Sequence, residues 1–129
     1  MQTYDNSNNS GGNEKLVYKG DLYMCDLGNS TDYRSSIQQG YRPVIVLQND
    51  AHNQCSNTTV IAPLTSRRKK NLKSHVNLNK GEGGVMKDST ILLEQMRTVN
   101  IYQLEKYIGT VNMQKIYEID EAIFAVLDL

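Results

Sequence analysis

The sequence predicts a mainly β domain with a C-terminal helix, an α+β fold in which a small curled barrel carries one packed helix. Three observations predict it. Short runs rich in β-branched residues, PVIVLQN (43–49) and TTVIAPLT (58–65), stand between clusters of Gly, Asn and Ser. DLYMCDL (21–27) alternates with the period of a strand. The last segment, NMQKIYEIDEAIFAVL (112–127), repeats its apolar residues at helical spacing. A chain of 129 residues suits a single domain with a modest core.

Residues 1–16, MQTYDNSNNSGGNEKL, carry almost nothing apolar to offset their ordering entropy and are expected to form a disordered tail. The folded domain is expected over 17–129. In the first strand, 21–27, Leu22, Met24 and Leu27 fall to one side and Asp21, Tyr23 and Cys25 to the other. GNSTDYRSSIQQG (28–40) is a polar loop with Gly at both ends, long enough in so small a domain to suggest function.

PVIVLQN follows as a buried strand, with Pro43 at its first position, where the missing N–H is harmless. DAHNQCSN (50–57) reads as a turn-rich connection, and TTVIAPLT as a strand whose Pro63 implies an edge or a bulge. SRRKKNLKS (66–74) is a basic loop, HVNL (75–78) a short strand and NKGEGGVMKDS (79–89) a Gly-rich turn. TILLEQ (90–95) is a further strand, continued or partnered by MRTVNI (96–101). QLEKYI (103–108) suits a short helix. The final helix takes Asn112 as its N-cap and buries a stripe of Met113, Ile116, Ile119, Ile123 and Val126.

Composition narrows the function. Lys plus Arg and Asp plus Glu number 14 each, so attraction to an anionic partner must come from a local patch. Cys25 and Cys55 match no metal or redox spacing and read as reduced thiols of a cytoplasmic protein. No apolar run approaches the roughly 20 residues of a membrane span, and the polar N-terminus is no signal peptide. No metal site or cofactor is expected: His52 and His75 lack a third ligand at metal spacing.

One residue stands out. In QGYRPVIVLQND (39–50), Arg42 sits between Tyr41 and Pro43 at the mouth of the apolar run Val44–Leu47, where strand stability needs no charge. On its own it reads as a surface arginine bonding a loop carbonyl. An arginine so held also suits phosphoryl chemistry, because its planar fork bonds two oxygens and keeps its charge.

The blocks GDLYMCDL, QGYRPVIVLQND, APLTS, HVNL and KDSTILLEQMRTV, in this order and followed by the final helix, resemble the MazF/PemK family, the toxin components of bacterial toxin–antitoxin pairs. The resemblance covers about residues 18–129. It implies an SH3-like β-barrel of the MazF/PemK/CcdB type, a homodimer, and a metal-independent, sequence-specific endoribonuclease acting on single-stranded RNA. In that family the 2′-hydroxyl attacks the neighbouring phosphate, leaving a 2′,3′-cyclic phosphate and a 5′-hydroxyl, and a cognate antitoxin blocks the RNA groove. Carried over by residue, the resemblance makes Arg42 the catalytic arginine and Thr65 the catalytic threonine.

Around that pair, Ser66 is expected to share the phosphate contact, and Arg67, Arg68 and Lys69 to follow the RNA backbone. Ser36 and Gln38 are expected phosphate or base contacts, Tyr41 a stacking aromatic, His75 a structural or substrate-contacting residue, and Gln95 a side chain approaching the groove. One departure matters: many members have glutamate between the serine and glutamine of the S-E-Q-x-G stretch, and this chain has Ile37. The base for the 2′-hydroxyl is therefore left open. A CcdB-like gyrase poison and an inactive RNA-binding relative are the competing readings. The first has no need of an arginine–threonine pair at a groove, and the second is encouraged by Ile37.

Overall fold

A computed structural model of the chain describes residues 15–67 and 72–129. Its elements are β1 (Asp21–Asp26), β2 (Tyr41–Val46), α1 (Asp50–Cys55), β3 (Thr58–Thr65), β4 (His75–Leu78), β5 (Ser89–Leu92), β6 (Arg97–Asn100), β7 (Leu104–Thr110) and α2 (Met113–Leu127). Among the described residues the strands form one seven-stranded sheet in the order β4-β5-β3-β2-β1-β7, with β6 also on β3. Every pairing is antiparallel. The predicted mainly β fold with a C-terminal helix is the one observed, although these pairings leave the sheet open and do not close it into a barrel.

The sheet has an apolar layer on each face, which explains the unbroken hydrophobicity of its central strands. Leu22, Ile45, Ala62 and Leu64 face α2 and meet its Ile119 and Ala122. Tyr23, Cys25, Val44, Val46 and Ile61 face the other way with Val99 and Leu104. The alternation predicted for β1 thus sorts Leu22 from Tyr23 and Cys25. Leu27 joins the Tyr23 side and not the Leu22 side, because the period of two puts positions 23, 25 and 27 on one face. Fully burying a side chain such as Leu22 or Ile45 stabilises by about 1.5–3 kcal/mol, so these two layers hold the domain.

Several expectations need correction. The connection 50–57 holds a helical turn, α1, because the Asn49 side chain accepts the His52 N–H at 2.8 Å and caps it. Pro43 is the third residue of β2, opposite Met24, and Pro63 lies inside the central strand β3, opposite Val44. The strand predicted over 90–95 ends at Leu92 and turns through a 3-10 segment at Leu93–Gln95 before β6 begins. The predicted helix 103–108 is strand β7: Leu104, Tyr107 and Ile108 suit a helix in isolation, but the free edge of β1 takes them as a partner. In α2 the Asn112 cap accepts the Lys115 N–H at 3.0 Å as expected, whereas Met113 is exposed and the stripe begins at Ile116. The expected tail lies outside the described residues except for Lys15 and Leu16, and no helix among those residues is long and apolar enough to cross a membrane.

One close approach shapes the site. Gly84 has φ +87° and packs against β7, where an added Cβ would meet the Ile108 carbonyl oxygen at 2.4 Å. Across the same contact, a Cβ on Gly109 would meet the Gly83 oxygen at 2.5 Å. Only glycines allow the 83–84 turn to lie this close to the strand. The turn thereby delivers residues 84–87 beside Tyr107 and Ile108.

Candidate active site

Arg42 is on β2, two residues before Val44, and Thr65 ends β3, two residues after Val44's partner Pro63. The guanidinium is fastened on two sides. Nε donates to the Gln39 carbonyl at 2.7 Å, and Nη1 donates to the Leu64 carbonyl at 3.2 Å. The expectation of an arginine bonding a loop carbonyl therefore holds, and the same residue lines a cavity. Burial, and then the charge of nearby Arg67, lower the pKa of Arg42 from its ordinary value.

The cavity measures about 510 Å³ and is lined by both Arg42 and Thr65, together with Tyr41 and Ser66. Thr65 is 4% exposed. Its Oγ1 accepts the Arg67 N–H at 3.2 Å, which leaves the hydroxyl proton to be donated elsewhere. Thr65 pairs with Thr90 on β5, and Thr90 donates to Asn77 on β4 at 3.0 Å. Tyr41 is exposed, with its phenol pKa raised by desolvation and then by the Glu105 carboxylate.

Sequence reasoning missed the opposite wall. Lys87 and Lys106 line the cavity, with Met86, Tyr107 and Ile108 giving it apolar surface. Lys87 was read within a turn, and Lys106 and Tyr107 within a helix that is a strand. With Arg42 and neighbouring Arg67, the two lysines make the local positive patch that a chain with no net charge requires for an anionic ligand.

The other candidates fall into two groups. Ser36 and Gln38 belong to the 28–40 loop and meet the Gln95 side chain through their backbone: Gln38 N–H donates to Oε1 at 2.7 Å, and Nε2 donates to the Ser36 carbonyl at 3.1 Å. His75 is outside the cavity lining. Its side chain is 3% exposed; Nδ1 accepts the Leu72 N–H at 3.4 Å, so Nε2 carries the proton toward Glu94 Oε2 at 3.2 Å. Arg68 and Lys69 lie outside the described residues. Among the described residues no three His, Cys, Asp or Glu side chains gather in a way that would hold a metal ion.

Comparison with solved structures finds the same fold. A mycobacterial endoribonuclease in complex with its cognate antitoxin matches with a TM-score of 0.72 at 23% identity, covering 88% of this chain and 96% of that one. MazF from Deinococcus radiodurans matches with a TM-score of 0.72 at 20% identity, covering 90% and 100%. The Mycobacterium tuberculosis toxin MazF-mt6 matches with a TM-score of 0.69 at 18% identity, covering 84% and 97%. The family model of the PemK-like, MazF-like toxins of type II toxin–antitoxin systems matches residues 18–127. With Arg42 and Thr65 both lining a positively charged cavity, and that match spanning nearly the whole described domain, the chain belongs to the PemK-like, MazF-like toxin family.

Proposed function

We propose that the protein is a sequence-specific, metal-independent endoribonuclease that cuts single-stranded RNA in the cytoplasm. It works as a homodimer and is held in check by a cognate antitoxin. The observation that carries this reading is the fastening of Arg42 at a cationic cavity that Thr65 also lines.

The reaction is an internal transesterification. The 2′-oxygen forms a bond to the adjacent phosphorus as its proton passes to a water molecule, and the bond from phosphorus to the 5′-oxygen breaks as that oxygen takes a proton from water. The products are a 2′,3′-cyclic phosphate and a 5′-hydroxyl. Charge gathers on the phosphoryl oxygens in the phosphorane, and a preorganised cation stabilises it most there. Arg42 supplies that cation; with Nε and Nη1 held by carbonyls, little reorganisation is left for the moment of reaction.

Thr65 donates its hydroxyl to a phosphoryl oxygen while Arg67 N–H holds Oγ1 in place. Ser66, Arg67, Lys87 and Lys106 draw the RNA backbone in, and Tyr41 and Tyr107 offer faces to unstacked bases. Arg68 and Lys69 are assigned the same backbone role from the sequence.

The test is cleavage of a long RNA by purified protein in EDTA, with end-group mapping. Wild-type protein is expected to cut at a fixed short sequence and to leave cyclic phosphate and 5′-hydroxyl ends. Arg42→Ala is expected to lose about 100-fold or more, the scale of removing one preorganised donor to a developing charge. Arg42→Lys is expected to recover little, because a point charge lacks the two-pronged grip. Near-normal cleavage by a folded Arg42→Ala protein, or activity that needs magnesium, would overturn the proposal.

A further inference from the structure

The Gln95 side chain was expected at the RNA, yet both ends of its amide are bound to protein backbone. Oε1 accepts the Gln38 N–H at 2.7 Å and Nε2 donates to the Ser36 carbonyl at 3.1 Å. The two bonds fix the amide's orientation, since a flipped amide would set N–H against N–H and oxygen against oxygen. Gln95 thus pairs with residues 36–38 as the edge of a neighbouring strand would, straddling Ile37.

The loop it grips also has bonds within itself: Ser30 N–H donates to the Gln39 side-chain oxygen, Ser35 N–H to the Asp32 carbonyl and Ile37 N–H to Ser35 Oγ, and these three tie the loop to itself and not to the sheet. Residues 28–37 are exposed and contain no helix or strand. At its base, Leu27 N–H donates to the Gly40 carbonyl at 2.9 Å and Gly40 N–H to the Gly28 carbonyl at 2.7 Å. The bond from Gly40 N–H orients the peptide plane whose oxygen belongs to Gln39, but not the approach of the chain into that plane. One residue before it, Gln38 is on Gln95. That Gln39 oxygen is the acceptor for Arg42 Nε at 2.7 Å.

We propose that Gln95 is a positioning residue for Arg42: its amide holds the 36–38 segment where the Gln39 carbonyl fixes the guanidinium. The consequence for catalysis rests on the ribonuclease reading above, whereas the consequence for the geometry of Arg42 does not. Displacing a reacting group by about 1 Å is enough to lose substantial rate, so a partial release is expected to lower turnover by about 10-fold, less than removal of Arg42 itself.

The experiment has two arms. In the first, the Arg42 Nε–H resonance is followed by NMR in the free protein. It is expected to be shifted and slow to exchange in the wild type, and to move toward the solvent-exchanging position in Gln95→Ala. Gln95→Glu, which keeps the shape but turns an oxygen toward the Ser36 carbonyl, is expected to do the same; it serves if the alanine variant fails to fold. An Arg42 signal unmoved in a folded variant overturns the proposal, whether or not the protein cleaves RNA. A signal that moves while wild-type protein cleaves nothing upholds the positioning and overturns the ribonuclease reading instead.

The second arm is kinetic. Gln95→Ala is expected to lower kcat with KM little changed, and to add nothing further in an Arg42→Ala background, because both changes remove one interaction. A loss confined to KM, and undiminished in that background, would mean that Gln95 touches RNA directly and would overturn the proposal.

Discussion

Arg42 meets two opposed demands. Partial burial strengthens its field at the cavity but raises the cost of keeping it charged, and the two backbone carbonyls offset that cost. Thr65 has a comparable division: its oxygen accepts the Arg67 N–H, and its hydroxyl proton, in the proposed reaction, goes to a phosphoryl oxygen. Thr65→Val is nearly isosteric and removes both functions. We expect it to lose about 100-fold in cleavage, whereas Thr65→Ser is expected to keep most of the activity by retaining the hydroxyl. Equal rates for the valine and wild-type proteins would deny the threonine any part in the reaction. At this scale the sequence was informative only through pattern. Arg42 stood out because an apolar strand has no use for a charge at its mouth, and Thr65 took meaning only from the family blocks around it. Nothing in the sequence could reveal that the Gln95 amide faces backbone, because that depends on where a loop 57 residues away comes to rest.

Among the elements, strands with strong periodicity were legible and those whose state depends on a neighbour were not. HVNL and TTVIAPLT have the boundaries expected of them, and Asn112 caps α2. β7 was misread because QLEKYI is too short for its period to be decisive, and the edge of β1 that selects the extended state is more than 75 residues earlier. The same misreading concealed Lys106 and Tyr107 as site residues. The glycine contact between the 83–84 turn and β7 makes this element's role testable. Gly109→Ala would press a methyl group against the Gly83 backbone, which cannot swing aside as a flexible side chain would. We expect a loss of about 1–3 kcal/mol in chemical denaturation, the range for overpacking, and weaker RNA cleavage because the wall carrying Lys87 is displaced. Unchanged stability would mean that the turn and strand separate without cost.

For the whole molecule, the class was predictable from composition and element order, since short strands followed by one amphipathic helix have few ways to bury their apolar faces. Whether the sheet closes was not: a curled barrel was expected and the sheet is open, because whether the two outermost strands, β4 and β7, pair leaves no trace in local sequence. Strand order carries a further consequence, for synthesis on the ribosome. β1 is the first strand made, yet its outer partner β7 is the last, and β2 with Arg42 lies on the other side of β1. A nascent or prematurely ended chain therefore holds the arginine but leaves β1 as an open edge, a template for association with other chains. A fragment ending at Gln103 is expected to aggregate and to leave RNA intact; a soluble fragment that cleaves would refute this. On the proposed ribonuclease reading, a chain whose synthesis has not passed β7 is expected to spare the message it is made from, so that any hazard begins only once β7 has been made.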